Sequence, residues 1–269
     1  MNAILQKCSF VAVGVPMFAS LSAAPSPAPA TLRPMVNPHP IVTVVPLFDG
    51  HQCVIVDNFM TEPQTMVEYA ALQRRQFRES AGNYYPGPEL PLTGRFVAGV
   101  KDAFLLHART RLKARRVLGV ASRLSLVTRR PEQLLPGQRM PHRDSYDLDD
   151  MEGVGAMVLY LFKDERLGGT SFFKPKVSPP EIDALLRELR RMELAGESPA
   201  PTAPPTFAIS SDEHFQKVLT IEPRFNRAIF YNGGLFHSGH ITAPELMADD
   251  PAIGRLTVNA FFKLRMAAT

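Results

Sequence analysis

The sequence has very little cysteine, with only Cys8 and Cys53 among its 269 residues. Two such cysteines cannot build the disulfide framework of a small secreted domain, and they do not fix the redox compartment. There is also no Cys-x-x-Cys pair and no tract rich in cysteine and histidine, which disfavours a structural zinc site. At this length the chain can instead bury one large apolar core, which predicts one domain, or one domain with a small appendage.

A strong excess of one charge is also absent, because the formal net charge is +4 and the sequence pI is about 9.2. This balance is too mild to indicate binding to nucleic acid, and we expect none. One short segment is distinctly basic, and we interpret it as the solvated side of a helix, with a phosphate-binding face as the alternative. Its basic residues are Arg109, Arg111, Lys113, Arg115 and Arg116.

Acidic residues are missing from residues 1–34, which carry Lys7, an apolar stretch at 10–21 and a small-residue site at 22–24. This pattern resembles a secretory signal peptide. A disordered leader and a mis-assigned start, with Met35 as the true first residue, are the alternatives. The apolar stretch is too short to span a membrane. We therefore expect no stable membrane span and a cytoplasmic location, or export if the segment is a functional signal peptide.

The most informative stretch of the chain is Met140-Pro-His-Arg-Asp-Ser145. In an extended segment, alternate side chains lie on the same side about 6.7 Å apart, so His142 and Asp144 can both bind one metal ion. A third candidate ligand, His237, follows an apolar run and a pair of glycines. Two histidines and one carboxylate form the facial triad that is diagnostic of non-haem Fe(II) oxygenases.

A second polar pattern follows in the stretch Gly254-Arg-Leu-Thr-Val-Asn259. Its alternation predicts a strand with Arg255 and Thr257 on one face. A guanidinium and a hydroxyl placed together in this way can hold a carboxylate co-substrate. A salt bridge at the end of the strand is the alternative role for Arg255.

Hydrophobic periodicity places two of the three predicted helices before most of the predicted strands. Helical patterns cover residues 61–77 and 102–118, with Thr61 and Asp102 as the expected N-caps, and a third covers 180–195. This order fits a small helical layer on a two-sheet β-sandwich, with the metal site at its open end. The principal predicted strands are 41–47, 54–56, 154–162, 170–173, 218–221, 228–231, 237–242 and 255–264.

Residues 123–264 resemble the Fe(II)/2-oxoglutarate-dependent dioxygenases of the prolyl-hydroxylase-like type. Taken whole, with its Asn83-Tyr-Tyr-Pro-Gly87 loop, the chain is similar to an uncharacterised bacterial group of proposed 2-oxoglutarate oxygenases. The matching motifs are Leu134-Leu-Pro-Gly-Gln138 followed by His142 and Asp144, Tyr160-Leu161, Gly168-Gly169 with Phe172 and Phe173, His237-Ser-Gly239, and Arg255 with Thr257.

The resemblance implies an α+β, mainly β fold with a double-stranded β-helix core of the jelly-roll or cupin-like kind and flanking N-terminal helices. It implies one oxygenase domain over residues 35–269, with a helical insertion at about 177–212. The implied reaction is a hydroxylation-type oxidation of an unidentified small molecule or protein side chain, releasing succinate and CO2. A cupin-like metal-dependent hydrolase or isomerase and a catalytically inactive binding module are the alternatives.

The resemblance also implies the roles of particular residues. His142, Asp144 and His237 would be the catalytic Fe(II) ligands, and His237 is favoured over His240 because it matches the spacing of the family. The co-substrate 2-oxoglutarate would bind through four residues, although Tyr160 is also expected as a core residue. These four are Arg255, Thr257, Tyr160 and Asn259.

Two features depart from the pattern of the family. Leu134 replaces a tyrosine that often contacts 2-oxoglutarate, so another hydroxyl would have to serve. The gap between His237 and Arg255 is also long. Its Pro, Asp and Gly content predicts a loop over residues 243–254.

Overall fold

The computed structural model describes residues 36–79, 85–144, 148–197 and 206–267. These residues form a mainly β architecture of two antiparallel sheets with three α-helices. The helices are α1 (Pro63–Leu72), α2 (Arg95–Ala103) and α3 (Pro179–Ala195). The strands are β1 (Ile41–Pro46), β2 (Gln52–Asp57), β3 (Glu89–Leu92), β4 (Ala114–Val127), β5 (Glu152–Tyr160), β6 (Thr170–Pro175), β7 (Phe215–Ile221), β8 (Arg227–Asn232), β9 (Phe236–Gly239) and β10 (Arg255–Met266).

The larger sheet has seven strands in the order β1-β2-β8-β5-β10-β4-β3, and the smaller has three in the order β7-β6-β9. A single backbone bridge between His142 and His237 places the chain around His142 alongside β9. This bridge extends the smaller sheet by one short segment. The segment carrying two of the predicted ligands therefore lies next to the strand that carries the third.

The larger sheet is buried on both faces. On its outer face, Phe104 beyond α2 stacks on Phe262 of β10 with ring centroids 4.2 Å apart, in a cluster that also includes residues of α1. On its inner face, Tyr231 of β8 meets Phe172 of β6 edge to face at 5.0 Å, which joins the two sheets. A third cluster packs Ile182 of α3 on the outer face of the smaller sheet.

Alternation along β10 decides which side chains reach the space between the sheets. Leu256, Val258 and Ala260 lie in the outer cluster with the helices. Because successive side chains of a strand point to opposite faces, Arg255, Thr257 and their neighbour Asn259 point inward. The predicted polar face of this strand is thus turned toward the smaller sheet.

The prediction for the first helix was correct in position and wrong in detail. The α-helical part begins at Pro63 and ends at Leu72, and a short 3-10 turn follows it. Its N-cap is Glu62 and not Thr61. The proline fixes the backbone at the first helical position and so sets where the helix starts.

The prediction for the second helix was wrong at both ends. The helix α2 starts after Gly94, which has a φ of +67°, and the expected N-cap Asp102 lies inside its last turn. Its expected last part is instead the start of β4, which pairs with β10 over most of its length. Arg115 and Arg116 lie on this strand, so the basic residues do not form one helix face. Pairing with a distant strand has overridden local helical preference here.

The third helix and the predicted strands lie close to their expected positions. The helix α3 lies between β6 and β7 and begins at a capping box formed by Ser178 and Glu181. Residues 243–254 form a loop apart from one short 3-10 turn, and β9 ends at Gly239, before the expected 242. The predicted leader lies outside the described residues. Within the described chain, no helix combines the length and apolarity needed to cross a membrane.

Candidate metal centre

The three predicted ligands come together between the two sheets. The backbone amides of His142 and His237 each donate to the carbonyl of the other residue, at 2.9 and 2.8 Å. Their imidazole rings lie 4.4 Å apart between centroids. The amide of Asp144 donates to the carbonyl of Gly233 at 2.8 Å. As a result, one potential ligand atom from each of the three side chains lies within 4.8 Å of the other two.

Hydrogen bonds orient the donor atoms of the cluster. The Nδ1 of His237 lies 2.8 Å from the carbonyl oxygen of Leu235, and it must carry the proton because that oxygen can only accept. The lone pair is therefore on Nε2, which is 3.8 Å from Oδ2 of Asp144. That carboxylate oxygen is buried and has no hydrogen-bond partner among the described residues. A buried oxygen of this kind is costly unless a cation or proton satisfies it, so the site suits a metal ion.

The protonation states also suit a metal ion. Burial lowers the pKa of His237 to about 4. His142 is partly exposed at the surface, and desolvation of its imidazole together with the nearby His237 lowers its pKa to about 4. Burial raises the pKa of Asp144 to about 6, against the opposing effects of His142 and Arg123. At neutral pH the cluster therefore presents two neutral imidazoles and one carboxylate, the forms that bind metals.

The surroundings leave little freedom to these side chains. A Cβ atom on Gly233 would lie 2.6 Å from Oδ2 of Asp144, so only glycine lets the carboxylate take this position. The ring of Tyr231 meets that of His237 edge to face, with centroids 4.8 Å apart. Contacts of this kind fix the orientation of metal-binding side chains.

Arg255 is buried, and the backbone already holds part of its guanidinium. Its Nε donates to the carbonyl oxygens of Leu167 at 3.0 Å and Gly168 at 3.2 Å, and its Nη2 donates to that of Gly169 at 2.9 Å. The Nη1 nitrogen makes none of these backbone bonds. No carboxylate of the described residues forms a salt bridge with Arg255, in contrast to the alternative drawn from the sequence.

The other predicted residues share the inner face but differ in their surroundings. Thr257 is opposite Tyr160 in the pairing of β10 with β5. Tyr160 is fully buried, and its hydroxyl lies 2.8 Å from that of Thr170, as expected of a core residue. Asn259 is buried opposite Arg123. His240 lies outside the cluster, with its Nδ1 3.0 Å from the hydroxyl of Ser171.

The sequence interpretation missed a charged group on the same inner face. Glu89 is buried, and its carboxylate accepts hydrogen bonds from Arg123 and from the hydroxyl of Ser125, both at 2.9 Å. The Arg123 guanidinium also lies over the ring of Phe261, 4.8 Å from its centroid. The alternation of Arg123 and Ser125 around a leucine was a visible signal, but the register that joins them to Glu89 was not.

A family model described as a family of unknown function, DUF6445, matches residues 38–262. No curated protein matches the sequence.

Several solved structures are similar to the chain, with low sequence identity. HygX from Streptomyces hygroscopicus, with nickel and 2-oxoglutarate bound, is 13% identical, with 81% of this chain and 84% of that chain covered and a TM-score of 0.43. SnoN, a non-haem α-ketoglutarate-dependent epimerase from nogalamycin biosynthesis, is 12% identical, with 81% and 79% covered and a TM-score of 0.41.

An N-substituted L-amino acid dioxygenase from Burkholderia ambifaria is 10% identical, with 80% of this chain and 86% of that chain covered and a TM-score of 0.33. These neighbours are of the kind that the sequence motifs resemble.

Proposed function

This chain belongs to the DUF6445 family, a family of unknown function, and we propose its function from the chemistry of its own site. It is an Fe(II)- and 2-oxoglutarate-dependent oxygenase that carries out a hydroxylation-type oxidation, with succinate and CO2 as by-products. The observation that carries this proposal is the cluster of His142, Asp144 and His237, with its unpartnered buried carboxylate oxygen. Two histidines and one carboxylate leave coordination positions open, as non-haem iron oxygenases require. A structural zinc site would instead need four protein ligands.

The strand order supports a double-stranded β-helix as the core of this enzyme. The strands β4, β10, β5 and β8 are neighbours in the larger sheet, and the His142 segment, β9, β6 and β7 are neighbours in the smaller one. Along the chain the segments alternate between the two sheets, apart from one hairpin formed by β6 and β7. Eight segments arranged in two facing sheets of four are the architecture of jelly rolls and cupins.

Two parts of the site would hold the two reactants. His142, Asp144 and His237 would bind Fe(II), and Arg255 with Thr257 would bind a carboxylate of 2-oxoglutarate. When bound, Fe(II) and 2-oxoglutarate together supply the oxidising chemistry. The formal charges support this pairing, because those of Asp144, Arg255, a ferrous ion and the 2-oxoglutarate dianion cancel. A buried site is stable only when its charges are compensated in this way.

The residues of the chain orient the reactants. The carbonyl of Leu235 holds His237 in the tautomer whose Nε2 can bind a metal. The carbonyl oxygens of residues 167–169 hold Arg255 in place before any ligand arrives. Tyr231 packs edge to face on His237, and Phe172 packs in turn on Tyr231, so aromatic rings hold His237 on its interior side. Preorganisation of this kind removes the cost of ordering these groups during the reaction.

Anaerobic titration of the purified full chain tests the proposal. Fe(II) is added first and then 2-oxoglutarate, while the visible absorption band of the iron–keto acid complex is followed. We expect stoichiometric binding of both and, after admission of air, release of succinate. Stoichiometric zinc or manganese binding with no binding of 2-oxoglutarate would contradict the proposal and favour a hydrolase or isomerase of the same fold.

A further inference from the structure

The structure offers a hydroxyl group in place of the tyrosine that Leu134 replaces, and this inference rests on the proposed function. Leu134 is buried in the apolar cluster between the sheets and has no polar atom to offer. Tyr85, in the loop before β3, packs against the same cluster. Its phenol oxygen lies 3.5 Å from the hydroxyl oxygen of Thr257 and also interacts with Arg255. We propose that Tyr85 donates a hydrogen bond to 2-oxoglutarate and forms, with Thr257 and Arg255, its carboxylate-binding site.

The backbone around Tyr85 is held firmly against β4. The carbonyl of Tyr85 accepts hydrogen bonds from the side-chain amide of Gln138 at 3.2 Å and from the amide of Gly87 at 2.9 Å. A Cβ atom on Gly87 would lie 2.1 Å from the carbonyl oxygen of Leu126, so only glycine allows this close approach. The position of Tyr85 therefore depends on main-chain contacts, which remain when its hydroxyl is removed.

The chemistry of Tyr85 suits binding of an anion. Burial raises the pKa of its phenol, against the opposing effects of Arg255 and Thr257, so the group keeps its proton at neutral pH and can donate it. Thr257 contributes a second hydroxyl, and Arg255 contributes its Nη1 side, which makes none of the backbone bonds. A carboxylate needs several donors when it is removed from water, and these three groups supply them.

Substitution of Tyr85 separates an effect on ligand binding from an effect on structure better than substitution of Arg255 does. Loss of Arg255 would leave three backbone carbonyls without their donor, and a change in ligand binding would then be mixed with a change in structure. Tyr85→Phe removes one oxygen atom from a side chain whose ring stays packed. Tyr69→Phe is the matched control, because Tyr69 lies on α1 and packs into the cluster on the other face of the larger sheet.

The test uses calorimetry on the full chain loaded with Fe(II) under anaerobic conditions. Wild type, Tyr85→Phe and Tyr69→Phe are titrated with 2-oxoglutarate and with 2-oxopentanoate. In 2-oxopentanoate a methyl group replaces the second carboxylate, the one that is distant from the keto group. A hydrogen bond to a charged group is worth about 1.5–3 kcal/mol, so Tyr85→Phe should weaken 2-oxoglutarate binding by roughly 10- to 150-fold. Binding of 2-oxopentanoate and of Fe(II) should be nearly unchanged, and Tyr69→Phe should behave as wild type in every titration.

The possible outcomes separate this inference from the proposed function. If wild type binds Fe(II) and 2-oxoglutarate but Tyr85→Phe binds 2-oxoglutarate equally well, the role of Tyr85 is overturned and the oxygenase proposal stands. The same holds if Tyr85→Phe loses affinity for both keto acids by one common factor, because the hydroxyl would then not act on the second carboxylate. If wild type binds no 2-oxoglutarate, both proposals fail. A thermal unfolding curve for each variant establishes that it is folded.

Discussion

The metal cluster and the Arg255 region both lie between the two sheets, but the protein satisfies their polar groups to different extents. In the metal cluster, Oδ2 of Asp144 is an acceptor that no described residue satisfies. In the Arg255 region, a cation is already stabilised by the carbonyls of residues 167–169. The buried acceptor of the first region suits a cation, whereas the cation of the second region is already stabilised by the protein. The two regions should therefore respond differently to substitution, in folding as well as in binding.

The largest effect is expected from the metal ligands. His142→Ala, Asp144→Ala and His237→Ala should each abolish stoichiometric Fe(II) binding, with a loss of affinity greater than about 100-fold, because each removes one of only three protein ligands. Anaerobic calorimetry measures this, with His240→Ala as the control that retains binding. Full iron occupancy in the Asp144 and His237 variants would contradict the assignment of these residues as metal ligands.

A second experiment compares the stability of Asp144→Ala and wild type, both without metal. Asp144→Ala removes a buried carboxylate whose Oδ2 has no hydrogen-bond partner among the described residues, so the metal-free variant should be at least as stable as metal-free wild type. Thermal unfolding in the presence of a chelator measures the difference. A clear drop in melting temperature would show that the carboxylate stabilises the ligand-free fold, contrary to its surroundings.

The next largest effect is expected from Arg255, whose substitution should weaken 2-oxoglutarate binding and also lower the stability of the protein. Losing a charge-assisted pair typically costs about 2–5 kcal/mol, so Arg255→Ala should weaken 2-oxoglutarate binding by roughly 30- to several-thousand-fold, with Arg255→Lys in between. Unlike Asp144→Ala, it should also destabilise the ligand-free protein, by about 1–3 kcal/mol, because buried carbonyls lose their donor. Calorimetry and denaturant unfolding measure the two effects. Unchanged affinity for 2-oxoglutarate would make Arg255 purely structural.

A smaller effect on the metal cluster is expected from Gly233. In Gly233→Ala the new methyl group would meet Oδ2 of Asp144 at 2.6 Å, so the carboxylate must move. Disturbing the support of a ligand typically costs about 10- to 100-fold in metal affinity, and we expect a loss of that size. The control is Gly234→Ala, whose methyl group would meet a flexible side chain at 3.1 Å. Equal Fe(II) affinity in the two variants would show that the Asp144 position is not constrained in this way.

The two regions also differ in how far the sequence reveals them. The ligands His142 and Asp144 are two residues apart, and the geometry of an extended chain is enough to bring them together. The face of β10 follows from alternation in the same way. By contrast, the bonds of Arg255 to residues 167–169 and the approach of Tyr85 depend on contacts between distant segments, which no local pattern contains.

The same distinction explains the fold predictions. The helix α3 was predicted nearly to the residue because its apolar stripe is a local signal. The first part of β4 was predicted as helix, because only its pairing with β10 makes it a strand. Glu89 was overlooked for the same reason, since its ion pair with Arg123 depends on the register between β3 and β4.

The smallest effect is expected from Thr257, and it completes the comparison. Thr257→Val keeps the volume of this fully buried side chain and removes its hydroxyl, which in the ligand-free protein lies 3.4 Å from the carbonyl oxygen of Ser125. Because a ligand bond would replace that existing bond, the net loss for 2-oxoglutarate should be only about 0.5–1.5 kcal/mol, or roughly 2- to 13-fold. Fe(II) affinity should not change. Since the hydroxyls of Thr257 and Tyr85 are 3.5 Å apart, the double variant with Tyr85→Phe should deviate from additivity. Strictly additive losses would mean that the two hydroxyls do not act on the same carboxylate.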